Sequence, residues 1–272
     1  MYLYRIRYDE ADMLTGISSL ITRLFITLLL LLVVSGGATF SAENTSQGIL
    51  DKIDKMWRGE SSAGTYQMKI KTSNWERTLR IKSWTKGLDH TLIKIEYPKK
   101  EKGVATLKVQ NNLWNYLPKI NRVIKVPSSL MMGSWMGSHF TNDDLVKEST
   151  LANDYHHRIT FQGERDGREV YEITLLPKED AAVVWGKIVI LVRKDDLMPL
   201  YEEFFDENEK PVRKMTLTDV KMMGGRLLPT RMTVMPYDKP GEFTEVTYEE
   251  ISFDVELADT FFSLRNLQQQ GG

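Results

Sequence analysis

The chain has 272 residues, and its 36 Lys and Arg against 37 Asp and Glu leave a formal net charge of -1. That balance excludes the concentrated basic excess of a nucleic-acid binder. With no cysteine at all the protein has no disulfides and lacks the acylated cysteine of a bacterial lipoprotein, so its stability must come from an ordinary hydrophobic core.

The N-terminus reads as a targeting segment. Leu24 to Val34 is almost unbroken apolar, with Arg23 before it and Ser35, Gly36, Gly37, Ala38, Ser41 and Ala42 after it. This is the length of a signal-peptide core and short for a bilayer span. Cleavage is expected near Ala38 or Ala42; an uncleaved anchor is the alternative. Met1 to Asp12 is too polar for the start of a signal, which points to Met13 as the true start and to 1–42 as a signal peptide with a mis-assigned N-terminal extension. Residues 43–272 are expected to form a single domain in the periplasm.

Asn44 to Gln47 fits a capping box, and Ile49, Leu50, Ile53, Met56 and Trp57 follow at helical spacing, predicting one amphipathic helix over about 47–58. Beyond Gly64 the period switches to two: Tyr66, Met68 and Ile70 alternate with Gln67, Lys69 and Lys71. Strands are expected again through Leu79 and Ile81 to Trp84, over Thr91, Ile93, Ile95 and Tyr97, and over Val104 to Val109. Asn111-Asn112 turns the chain into Leu113. Trp114 and Tyr116, two residues apart, share one face of that strand, taken as the concave, cavity-lining one, with Asn115 on the other.

Pro118 to Asn121 is a turn, Val123, Ile124 and Val126 resume the strand, and Pro127, with no N–H, ends the pairing. The loop that follows carries Leu130, Met131, Met132, Trp135, Met136 and Phe140, too much apolar surface for a solvated loop. Thr141-Asn142-Asp143-Asp144 then begins a helix of the capping type. The loop is therefore expected to be a flap over something apolar, hinged at Gly133 and Gly137. The 13 Met and 6 Trp fit that reading, because Met adapts to irregular apolar ligands, although each alone is better explained as core.

After the flap, Tyr155 to Gln162 and Arg168 to Leu175 flank Asp166-Gly167, a hairpin signal. Val183 to Val192 is the most apolar strand and is expected at the centre of the sheet. Strands follow over 200–205, 212–220, 227–235 and 243–253, with Pro229 marking an edge or a bulge, and Asp259 to Phe262 forms one terminal helical turn. One helix and about ten antiparallel strands at hairpin spacing make a mainly β chain with helical additions.

The residues Trp114, Tyr116 and Pro118, with the flap Trp135-Met136-Gly137-Ser138-His139-Phe140 and Asp144-Leu145 behind it, resemble the outer-membrane lipoprotein-sorting family. Its LolA-like members carry a W-x-Y-x-P strand and an F-M-G-S-D-F-x-x-x-D-L flap; Trp135 replaces the usual Phe and His139 the usual Asp. Over residues 48–267 the resemblance implies a strongly curved open antiparallel sheet, a half-barrel enclosing helices and the flap. It implies a periplasmic carrier that binds acyl chains of lipids or lipoproteins in an apolar cavity for transfer towards the outer membrane. The six apolar flap residues would line that cavity; Trp84, Trp114 and Tyr116, on strands, are the further candidates for its lining, with plain core as the alternative. An inner-membrane transporter of the resistance-nodulation-division type and an outer-membrane acceptor are the implied partners, and the carrier is expected to be a monomer. The same fold also serves as an envelope sensor, the alternative function.

No catalytic constellation is legible, so the protein is not expected to be an enzyme, and no cofactor or metal is expected. Gly133-Ser134-Trp135-Met136-Gly137 is not a nucleophile elbow, since Ser134 directly follows the first glycine. His156 and His157 are adjacent on a strand and face opposite sides, one expected exposed and one packed. His139 lies near Asp143 and Asp144, but those aspartates are explained by the positive end of the helix they begin.

Overall fold

A computed structural model describes residues 45–147 and 151–270. The segment expected to be a signal peptide lies outside the described residues. Helix α1, Ser46–Arg58, comes first. Its N-cap is Thr45, whose hydroxyl accepts the Gly48 N–H at 3.1 Å, one residue later than the expected box at Asn44. Gly59, at φ +59°, closes it by donating to the Lys55 carbonyl. Ile49, Leu50 and Ile53 form its buried stripe.

Thirteen antiparallel strands follow in chain order. The first six are β1 Ser61–Lys71, β2 Glu76–Lys86, β3 His90–Tyr97, β4 Ala105–Val109, β5 Asn112–Leu117 and β6 Arg122–Lys125. The remaining seven are β7 Tyr155–Arg165, β8 Arg168–Pro177, β9 Lys187–Arg193, β10 Pro199–Phe205, β11 Pro211–Met223, β12 Arg226–Pro236 and β13 Phe243–Phe253. They form one sheet in the order β6-β5-β4-β3-β2-β1-β13-β12-β11-β10-β9-β8-β7. The sheet is curved and open: β6 and β7 are its two edges. The chain thus runs outward from β1 to one edge, lays residues 126–147 over the concave face, and winds back from the other edge until β13 pairs with β1. The segment between β6 and β7 contains the flap, helix α2 (Asn142–Lys147) and the short helix α3 (Leu151–Asp154).

Several local expectations meet the structure directly. Asp166 and Gly167 both take positive φ, 51° and 74°, as a two-residue hairpin turn requires. Pro229 sits where β12 still pairs with β11 but has left β13, so its missing N–H interrupts no pairing on that side. The apolar strand β9 is third from the β7 edge, and the centre is β13 instead. Its hydrophobicity reflects coverage of its inner face by α1 and of Leu191 behind, not a central place.

The concave face holds the main core. Ile173, Ile188, Ile190, Val192, Met215, Leu217 and Val234 pack against the α1 stripe on one half of the sheet. Met68, Ile70, Leu79, Ile81 and Ile95 form a second cluster on the other half, closed by Trp135 of the flap. The convex face of β2–β5 is also covered. A 3-10 turn at Asp259–Phe261 leads into helix α4, Leu264–Gln270, which lies against it. Sequence patterning showed the turn and missed this helix.

Candidate functional site

Between the two inner clusters the concave face leaves a hollow of about 210 Å³ that opens to solvent. Its apolar wall comes from alternate residues of the central strands: Tyr66 and Met68, Ile81, Ile93, Met215, Met232, Val246 and Tyr248. The register explains why they converge, since Met68 pairs with Val246 and Val246 with Met232 across three adjacent strands. Tyr66 and Tyr248 meet edge to face with ring centroids 4.6 Å apart. From the flap, Trp135 and Phe140 line the same space, joined by Leu145 of α2.

The flap is tied down along its length. Trp135 is 3 % exposed and donates its indole N–H to Thr106 Oγ1 on β4 at 3.1 Å. Ser134 and Thr141 pair as a bridge, and Trp135 N–H donates to the Phe140 carbonyl at 2.8 Å. Arg77 of β2 donates to the Met136 carbonyl and pairs with Glu101 at 2.7 Å. His139 donates its backbone N–H to Thr244 Oγ1 at 3.0 Å, and its ring lies 2.8 Å from the same hydroxyl and 3.2 Å from Glu242 Oε2. Both ring nitrogens are therefore engaged in holding the flap to β13 and to Glu242 just before it. Among the described residues no group of three or more side chains is arranged to hold a metal.

Arg213 makes the strongest attachment. It occupies an inward position of β11, stacked on the rings of Trp185 and Phe204 at 4.4 and 4.3 Å. Its guanidinium forks onto both carboxylate oxygens of Asp144, at 2.6 and 2.7 Å, and donates to the His139 carbonyl at 2.8 Å. Asp144 in turn accepts the Thr141 N–H at 2.6 Å while Thr141 Oγ1 accepts the Asp144 N–H, the reciprocal cap expected from the sequence. Nearby, Tyr155 donates to the Trp185 carbonyl at 3.2 Å. Burial first, and then the Asp143 charge, push its phenol pKa well above the usual value.

The residues expected to line the cavity divide into three groups. Trp135 and Phe140 do line the hollow. Met136 packs against the second inner cluster, and Met131 packs with Leu113, Val126 and Val146 beside α2, whereas Leu130 and Met132 point outward at 56 and 58 % exposure. Trp84, Trp114 and Tyr116 lie on the opposite face of the sheet. Thr106, which holds the flap indole, pairs with Asn115, so Asn115 faces inward and its neighbours Trp114 and Tyr116 face out. They are packed with Phe261, Phe262 and Leu267 of the C-terminal segment, which makes the convex side of this half of the sheet a second core. Gly137 has φ +69°, while Gly133 has ordinary φ and is held by hydrogen bonds to Leu130 and Asn142.

Sequence reading missed Arg213 and the strand residues of the wall. A signal existed, because Arg213 shares its parity with Met215 and Leu217 and so stands as a charge on an apolar face.

A family model described only as uncharacterized protein matches residues 87–269. No curated protein matches the chain. Among solved structures, a DUF1329 family protein from Desulfovibrio piger is similar at 22 % identity and a TM-score of 0.74, covering 81 % of this chain and 97 % of its own. A LolA superfamily protein from Nitrosomonas europaea aligns at 20 % identity and a TM-score of 0.71, over 82 % of this chain and 99 % of its own. A domain from Vibrio parahaemolyticus, described as an outer membrane lipoprotein-sorting protein, aligns at 23 % identity and a TM-score of 0.70, over 80 % of this chain and 97 % of its own. The chain belongs to that family of uncharacterized proteins, and its fold is the LolA-like fold.

Proposed function

We propose that the protein is a periplasmic carrier that binds the acyl chains of lipids or lipoproteins in the hollow beneath the flap and moves them towards the outer membrane. The observation that carries this reading is an apolar hollow on the concave face, roofed by Trp135 and Phe140 of the flap laid over it. Each buried methylene is worth roughly 0.8 kcal/mol, so a sixteen-carbon chain in water costs on the order of 12 kcal/mol. Crossing an aqueous compartment therefore needs a portable apolar site.

In this reading the flap opens to load and to release, with Gly133 and Gly137 as hinges and the Arg213–Asp144 fork holding the closed state. An inner-membrane transporter of the resistance-nodulation-division type supplies the cargo and an outer-membrane acceptor receives it. The protein binds without turnover and acts as a monomer, after removal of the signal peptide. The similar Vibrio parahaemolyticus domain, named for lipoprotein sorting, supports the cargo class.

The test is titration with an acyl-chain fluorophore. Val246 is half-buried in the wall, and Val246→Trp would fill the hollow. The wild type should bind the probe, and the filled variant should lose most of that affinity while still folding. Absence of binding by the wild type, or equal binding by the filled variant, would contradict the carrier reading.

A further inference from the structure

One end of the sheet carries three neighbouring turns on the β1–β6 half: Thr72–Trp75, Pro98–Gly103 and Pro118–Asn121. The second and third lie side by side because Ala105 pairs with Tyr116 and Tyr116 with Val123 just inside them, and the second reaches the first through Glu101, 2.7 Å from Arg77, two residues past Trp75. The chemistry of this rim differs from the charge-balanced whole. Lys99, Lys100, Lys102, Lys119 and Arg122 are all exposed and form no ion pair among the described residues. Glu101 is the acid within these turns, and it is already committed to Arg77 at 2.7 Å. From Leu113 to Asn142 the sequence contains no acidic residue.

One large apolar side chain is also shown to solvent in the first turn, in the third, and just before the second, where Tyr97 ends β3 beside Arg80, Glu96 and Glu249. Trp75 is 41 % exposed, Tyr97 58 % and Ile120 57 %. Edge strands are commonly guarded by lysine against aggregation, which would account for charge on β6. It does not account for the three lysines between β3 and β4, which are interior strands, nor for the apolar residues set among them. Cations interleaved with Trp, Tyr and Ile match the headgroup region of a bilayer, where aromatic rings settle at the interface and basic side chains meet anionic lipid. An acidic protein surface would satisfy the lysines and leave the Trp, Tyr and Ile without a partner.

We propose that this rim docks the protein on an anionic lipid surface. The site lies beside the flap tip, since a Cβ placed on Gly137 would be 3.6 Å from the Trp75 ring, so docking brings the moving part of the hollow to the membrane. This deepens the carrier reading by naming the surface at which cargo is exchanged.

Co-sedimentation with vesicles tests it, using protein purified after export with its N-terminus read by mass spectrometry. The protein should bind phosphatidylcholine vesicles containing phosphatidylglycerol, bind phosphatidylcholine alone far more weakly, and dissociate as salt rises. Replacing Lys99, Lys100 and Lys102 by Glu should weaken binding at least about tenfold. The milder set Lys→Gln, and Ile120→Ser alone, should weaken it in the same direction, with melting temperature and acyl-probe affinity unchanged. Equal binding to the two vesicle types, or undiminished binding by all variants, would overturn the proposal. Capture on heparin without vesicle binding would overturn it too, in favour of an acidic macromolecule. Failure of the acyl probe with vesicle docking intact would instead remove the carrier reading and leave the docking surface standing.

Discussion

Arg213 lies at an inward position of β11 between two aromatic rings, and its charge is met by groups that the flap and α2 bring to it. Burying a guanidinium is costly unless it is paired and hydrogen-bonded, and a partner deleted from such a pair typically costs about 3–5 kcal/mol. Arg213→Met alone should therefore destabilise strongly, by leaving Asp144 buried without its cation. Arg213→Met combined with Asp144→Leu should recover much of the loss. Urea unfolding of the two singles and the double measures this coupling; additive losses would show that the fork holds little. A second prediction concerns His157, whose Nε2 lies 3.0 Å from Gln47 Oε1 and whose Nδ1 lies 2.9 Å from Ser46 Oγ, tying α1 to β7. Burial first, and the Lys178 charge second, hold its pKa below the usual histidine value. A depressed folded pKa means the folded state resists protonation, so this attachment is complete above about pH 6.5 and is lost as pH falls through the folded value. Melting temperature should drop on acidification, and His157→Gln should flatten that part of the pH profile.

At the scale of elements, the flap combines two roles. Trp135 is buried in the second inner cluster and also roofs the hollow, so it is both core and wall. Trp135→Ala should cost about 3–5 kcal/mol, as large aromatic truncations do, and should weaken acyl-probe binding as well. Thermal melts paired with the titration separate the two effects. A carrier lid still belongs to the less stable part of a fold. Amides of 128–140 should exchange faster than those of β9 in the empty protein and slow when lipid binds; a flap as protected as β9 without ligand would not be a lid. The flap's existence, its cap at Thr141 and Asp144 and its turn at Pro118 were legible because each depends on local chemistry. The faces of Trp84, Trp114 and Tyr116 were not. Period two tells which residues share a face, but both faces of β2–β5 are covered, one by the flap and one by Phe261, Phe262 and Leu267. Apolar content alone could not say which was the inside.

For the whole molecule, hairpin spacing and the single early helix predicted an antiparallel meander of about ten strands, the family resemblance implied that it is open and curved, and one thirteen-stranded sheet is what forms. The pairing of β13 with β1 was beyond such reading, because contacts between residues nearly two hundred apart leave no local trace. That pairing joins the half that runs outward from β1 to the half that winds back from β7, and sets Val246 and Tyr248 opposite Met68 and Tyr66 in the wall of the hollow. The carrier account stands on that wall being a site for acyl chains. The most direct measurement is mass spectrometry of organic extracts from the protein purified after export, beside Val246→Trp prepared identically. The account predicts acyl lipid at close to one molecule per wild-type protein and little with the filled variant. No bound lipid in the wild type, or the same lipid load in both, would contradict it.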